Sequence, residues 1–185
     1  YRKSSLLYGL NWAKADIVSR DEVVICEGYT DVMAFALSDV PNAVATCGTA
    51  LTDDHVRALK NLARRVVLAY DTDAAGQNAA EQWFRWEHEF EIQLRVADLP
   101  NGLDPADVWR GSPERLRAAV EHATPFLQFR IDRLLGSIDL TTLEGRGRAG
   151  EAAAALVAEH PNELVRDQYV MQLAAKLEID ADTLR

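Results

Sequence analysis

The chain has 185 residues, 48% hydrophobic and 26% charged, with a formal net charge of −9. That composition suits one or two globular domains and argues against a protein that holds nucleic acid by overall positive charge, so any basic grip must be local. No run of about 18 apolar residues occurs, so neither a membrane span nor a signal peptide is expected, and the location reads as cytoplasmic.

The chain opens on Tyr1-Arg2-Lys3 with no initiator methionine and reads as a segment of something longer. Residues 12–20 look helical and feed a strand over Glu22 to Glu27. Gly28 turns the chain, and Thr30 to Leu37 has helical spacing. A second strand, Ala43 to Thr46, ends at Cys47-Gly48-Thr49. Thr52 then caps a helix whose first turn carries Asp53 and Asp54, where the helix dipole favours acids. A third strand covers Arg65 to Tyr70, a helix Ala74 to Trp86, and a fourth strand Glu91 to Ala97. Cys26 and Cys47, both inside apolar runs, are expected as buried reduced thiols.

After about residue 111 the strand signal stops. Ser112-Pro113 and Thr124-Pro125 each open a helix, with proline at the first position. Gly145 to Gly150 reads as a loop or weak helix start before an Ala-rich helix. Pro161 opens a last helix with Leu164, Tyr169, Leu173 and Leu177 as its core stripe. The expected fold class is therefore α/β, a parallel sheet flanked by helices, followed by an all-helical part. The expected division is a linker over 1–21, the α/β domain over 22–111 and a helical bundle over 112–185.

Three of the apolar runs lead into acids. Val23-Val24-Ile25-Cys26 leads into Glu27-Gly28, Val66-Val67-Leu68-Ala69-Tyr70 into Asp71-Thr72-Asp73, and Leu94 to Leu99 into Asp104-Pro105-Ala106-Asp107. If the three runs are adjacent parallel strands, their carboxylates gather beyond one sheet edge, where ligands of such folds bind. Clustered carboxylates repel, and hard oxygen ligands of this kind hold Mg²⁺ or Mn²⁺, ions that work on phosphates. The i, i+2 spacing lets Asp71 and Asp73 approach one ion while Thr72 points away. Asp31 stands one helical turn beyond Glu27 and either joins this cluster or caps the helix. Gly28, Gly48 and Thr49 could meet a nucleotide phosphate or serve only as turns. Lys60, in a basic group with Arg64 and Arg65, is either a solvated helix end or a nucleotide contact.

The motifs EGYTDV (residues 27–32), GTALT (48–52), YDTDAAG (70–76) and DPAD (104–107), in this order, resemble the TOPRIM domain of bacterial DNA primases of the DnaG family. Leu7-Tyr8-Gly9-Leu10 resembles the segment before that domain, and the helical tail resembles the end of the family's RNA polymerase core. The resemblance implies a catalytic role for Glu27. It implies metal binding by Asp71, Asp73 and Asp104. The family's second aspartate of the last motif is replaced by Ala106, and the next acid, Asp107, either ligates metal or caps a turn. The resemblance further implies synthesis of short RNA primers from nucleoside triphosphates on a single-stranded DNA template. It implies a replicative helicase as partner through a domain absent from this chain, and no membrane. Other TOPRIM enzymes, a topoisomerase or a nuclease, and a metal- or nucleotide-binding fragment with little activity alone are the rival readings. No tyrosine is marked as a topoisomerase nucleophile.

Overall fold

The computed structural model describes residues 6–69, 77–100 and 102–184. The first half follows from the apolar strand runs. β1 (Glu22–Cys26) lies between β2 (Ala43–Ala45) and β3 (Arg65–Leu68), and β4 (Gln93–Val96) lies beyond β3, all parallel. Ile25 sits beside Val44 on one side and Leu68 on the other. From Val23 to Cys26 every side chain is buried, as a strand covered on both faces requires. Val24, Cys26, Val67 and Ala69 face a layer built from α2 (Tyr29–Leu37), α5 (Pro105–Gly111) and α6 (Pro113–Glu121). Their neighbours Val23, Ile25, Val66 and Leu68 point to the opposite face by strand alternation.

α1 (Leu10–Arg20) packs on β1 and β2, and α3 (Asp53–Leu59) packs on α4 (Gln77–Phe90). Trp83 and Trp86 are buried on α4, and the Trp86 Nε1–H donates to Asp53 Oδ1 at 2.6 Å. Arg85 donates to the same oxygen at 2.8 Å. The Trp86 bond first, and then Arg85, hold the Asp53 carboxyl below the usual range.

Thr124-Pro125 precedes a helix, as the sequence suggested, but stands outside it, the helix starting at Phe126. The pair forms β5 (Thr124–Pro125), antiparallel to Val96 and Arg95, and closes the sheet on that side. On the other side Tyr8 forms an isolated antiparallel bridge with Ala45. The chain divides into a unit ending at Pro125 and a unit beginning at Phe126.

The second unit contains α7 (Phe126–Gly136), α8 (Leu143–Ala158), α9 (Glu163–Leu177) and α10 (Ala181–Leu184). Thr142 caps α8 by accepting from the Gly145 N–H at 3.0 Å, and Asn162 caps α9 through the Leu164 and Val165 N–H groups. Of the two readings of Gly145 to Gly150, loop or helix start, the structure has the helix start: these residues are the first part of α8. Its glycines permit close approach: a Cβ on Gly145 would stand 1.8 Å from the Asp139 carbonyl oxygen, and one on Gly150 2.8 Å from Ile179 Cδ1. The stripe expected on α9 holds at Leu173 and Leu177 but not at its start. Leu164 is 78% exposed, and Val170, Leu173 and Leu177 are the buried residues. Arg130 and Glu159 form a half-buried ion pair between α7 and the end of α8.

Two stability predictions follow from these contacts. The Leu94 N–H donates to Glu87 at 2.9 Å, and burial pushes the Glu87 carboxyl up to about 7 against that bond. A carboxyl raised on folding loses stability as pH rises through that range. Glu87→Gln should therefore raise the thermal midpoint at pH 8, with the gain shrinking toward zero by pH 4. Gly145→Ala should strongly destabilise the protein in urea titrations, whereas Gly147→Ala, which meets nothing within 4 Å, should stabilise it by about 0.5–1 kcal/mol.

Candidate active site

Because β1, β2, β3 and β4 run in one direction, the chain leaves all four at the same edge. Backbone bonds carry the pairing past the strand ends. The Cys47 N–H donates to the Glu27 carbonyl at 2.9 Å, Ala69 to Ile25 at 2.9 Å and Ala97 to Leu68 at 2.9 Å. Glu27 is exposed directly beyond β1, beside the Cys47-Gly48-Thr49 loop. That loop is left-handed at both Cys47 (φ 52°) and Gly48 (φ 82°), which swings the chain sharply away from β2. Gly48 has open space where a side chain would be, and the Thr49 hydroxyl donates to the Thr46 carbonyl at 3.1 Å. Cys47 is exposed, not buried as its apolar flanks suggested, because this turn carries it out of the sheet.

Asp31 is the residue whose place the sequence left open. It is 4% exposed, and its Oδ2 accepts from the Gly28 N–H at 2.9 Å, so it secures the start of α2 directly after Glu27. Its Oδ1 is buried and makes no hydrogen bond of good geometry. Burial raises the Asp31 carboxyl above its ordinary value, and the charges of Asp104 and Asp107 add to that. The Gly28 and Ala106 N–H groups oppose it. The DPAD segment therefore stands against the start of α2. Next to Asp31, the Cys26 thiol is pushed up by burial and then by the charges of Asp31, Cys47 and Glu27.

Asp104 is exposed and caps α5, its Oδ1 accepting from the Asp107 N–H at 2.7 Å. Asp107 forms an ion pair with Arg110 in the same helix. Ala106 is buried in the core with Cys26, Ala34 and Val108. Asp71 and Asp73, with Gly76, lie outside the described residues. Among the described residues no three His, Cys, Asp or Glu side chains are grouped to hold a metal ion. The fold thus gathers Glu27, Gly28, Asp31, Gly48, Thr49, Asp104 and Asp107 at one edge.

Comparison with known proteins carries the same pattern. A family model described as Toprim-like matches residues 24–109, and one described as the DnaB-helicase binding domain of primase matches residues 127–182. The DNA primase of Streptomyces coelicolor is 39% identical over 185 residues, 97% of this chain and 29% of its own length. That of Escherichia coli K12 is 34% identical, over 99% of this chain and 32% of its own. The RNA polymerase domain of Mycobacterium tuberculosis primase DnaG, solved with a double-stranded DNA carrying a 6-nucleotide overhang, superposes with a TM-score of 0.82 at 36% identity. The match covers 96% of this chain and 58% of that one. A DnaG primase catalytic domain bound to single-stranded DNA gives a TM-score of 0.67 at 34% identity, covering 99% of this chain and 59% of that one. The chain is thus similar to DNA primases over almost its whole length.

The chain spans under a third of the curated relatives' length. Two expectations change. The helicase contact was expected through a domain absent from this chain, but the helicase-binding family model falls on residues 127–182, the span of α7 to α10. Lys60 stands at the C-terminal end of α3, with its Nζ 5.3 Å from the centre of the Phe90 ring at the end of α4. Both helices end where β3 and β4 begin, so Lys60 lies at the edge opposite Glu27.

Asp31 should tolerate loss of charge better than loss of its oxygen. Asp31→Asn keeps an acceptor for the Gly28 N–H and removes a carboxylate held above its ordinary value. Its stability relative to the parent should be higher at pH 7 than at pH 4, the direction a raised carboxyl demands. Asp31→Ala should cost about 1 kcal/mol, as lost helix caps do. Urea denaturation of both variants at the two pH values checks this.

Proposed function

We propose that these residues form the metal-holding part of a bacterial primase, the enzyme that makes short RNA primers on single-stranded DNA. The observation that carries this reading is the sheet order β2-β1-β3-β4, which puts the end of β3 between Glu27 and the Asp104 loop. In this reading Asp71 and Asp73, the next acids after β3, join Glu27 and Asp104 around Mg²⁺ or Mn²⁺. The donor set fits such an ion: it consists of carboxylates, hard oxygen ligands, and includes no imidazole. A bound divalent ion would offset the charge of the triphosphate and of the attacking hydroxyl. Asp107, already paired with Arg110, serves as a second-rank ligand at most.

The chain's own residues position the substrates. The Gly48-Thr49 loop, open at Gly48, offers backbone N–H groups to a nucleoside triphosphate. The primer 3′-hydroxyl attacks the α-phosphorus, and the bond to the leaving pyrophosphate breaks. Such transfer depends mostly on positioning and charge neutralisation. The nucleotidyl transfer takes place in the bacterial cytoplasm, and a replicative helicase docks on the primase that carries it. The 185 residues alone bind ions and nucleotides but prime weakly, since the rest of the catalytic surface lies elsewhere in the relatives' longer chains.

The test uses full-length protein with single-stranded DNA and nucleoside triphosphates. Replacing both Asp71 and Asp73 by Asn should reduce primer yield by roughly 10²-fold or more, the scale of losing preorganised charge stabilisation. Undiminished primer synthesis would falsify the assignment. DNA cleavage or relaxation in its place would favour the nuclease or topoisomerase reading.

A further inference from the structure

The surface of α2 is unusual for a helix on the outside of a globular unit. Its sequence, YTDVMAFAL, contains no lysine or arginine, and its one acid, Asp31, is turned inward. Tyr29, Met33 and Leu37, each four residues from the next, are 57%, 50% and 64% exposed and form one outward stripe. The stripe does not stop at α2. Tyr29 meets Tyr8 with ring centres 6.1 Å apart, and Tyr8 meets Trp12 of α1 at 5.6 Å, edge to face. Trp12 is 67% exposed. The backbone of Gly9 comes so close to α2 that a Cβ there would stand 3.3 Å from Val32 Cγ1. The result is one continuous apolar face over two helices, of the kind that marks an interaction surface.

We infer that this face is an internal seam of the larger polymerase domain, covered in full-length protein by the part of that domain outside these 185 residues. Three observations choose that occupant. Two solved primase polymerase or catalytic domains are matched over 58% and 59% of their length, so each has a large further portion with no counterpart here. The stripe on α2 offers no positive charge, and the chain carries a net −9, which suits an apolar protein surface and not a phosphate backbone. The aromatic rings meet edge to face and pack against each other as a core half does, leaving no row of parallel faces for bases. The covering segment is therefore rich in aliphatic and aromatic side chains and poor in lysine and arginine where it meets Met33 and Leu37.

Oxidative footprinting tests this on the full-length protein and on the 185-residue chain. Met33 and Trp12 should react several-fold more slowly in the full-length protein than in the shorter chain. Met171 on α9, 55% exposed here, is a reference of similar exposure outside this face. Equal reactivity of Met33 and Trp12 in both proteins would overturn the inference. So would protection that appears in the shorter chain as its concentration rises, which would mean a second copy covers the face. Protection that appears only on adding single-stranded DNA would overturn it as well. A variant gives an independent reading. Met33→Glu should lower the thermal midpoint of the full-length protein and leave that of the shorter chain unchanged, because Met33 is half in water there. An unchanged midpoint in the full-length protein, or an equal fall in both, would count against the seam. Neither readout involves primer synthesis, so failure of the metal assignment would leave the seam intact.

Discussion

The backbone ladder of β1 holds the molecule's functional geometry together. Val24, Ile25 and Cys26 pair with β2, and Glu22 to Ile25 pair with β3, both parallel. A parallel pair fixes direction as well as register, so the connections between strands must cross the faces of the sheet and cannot turn back at its edge. Each strand then releases its chain at the same end. The side chains inside the ladder are apolar because both faces are covered, and the first residues free of that demand are the acids and glycines beyond it. Chemistry is pushed to the edge by the same burial that stabilises the sheet.

Holding several carboxylates near one another costs electrostatic free energy, and the fold absorbs part of that cost locally. Asp31 takes the Gly28 N–H, Asp104 takes the Asp107 N–H, and Asp107 takes Arg110. Asp31 and Asp104 secure the starts of α2 and α5, and Asp107 lies in the first turn of α5, where the dipole favours negative charge. Asp31 remains the most strained, buried with one oxygen lacking a good partner. Through it the turn after Glu27 and the start of α5 are tied together, so the first and last acidic segments share a mechanical link.

Much of this was readable in the chain itself. Strand alternation with helices, the continuous apolar character of Val23–Cys26 and Val66–Ala69, and the helix cap at Thr52 are all local signals, and the structure follows them. What local signals could not supply was tertiary context. Gly145 to Gly150 left a loop and a helix start both open, and only the structure shows that Asp139 and Ile179 approach the helix too closely for a side chain. Thr124-Pro125 has the pattern of a helix start, but one more strand position beside β4 was open to it. Leu164 fits an apolar stripe by spacing, while the rotation of α9 against its neighbours chose Val170 instead. Cys47 sits in an apolar run, and only the left-handed turn at 47 and 48 shows that it leaves the sheet. For Asp31 the signal was present in its spacing from Glu27, but depth of burial depends on α5, more than 70 positions away in the chain.

The two ends of the sheet bear on how the protein behaves in a crowded solution. A free strand edge is a template on which another molecule can add a strand, and proteins guard against it by shortening or blocking their outermost strands. Here one margin is the three-residue β2, already engaged by Tyr8, and the other is the two-residue β5, where Pro125 has no N–H to offer. Neither margin is long enough to recruit a second sheet. The edge where the four parallel strands end stays open, while the two lateral routes to fibril-like association are closed off.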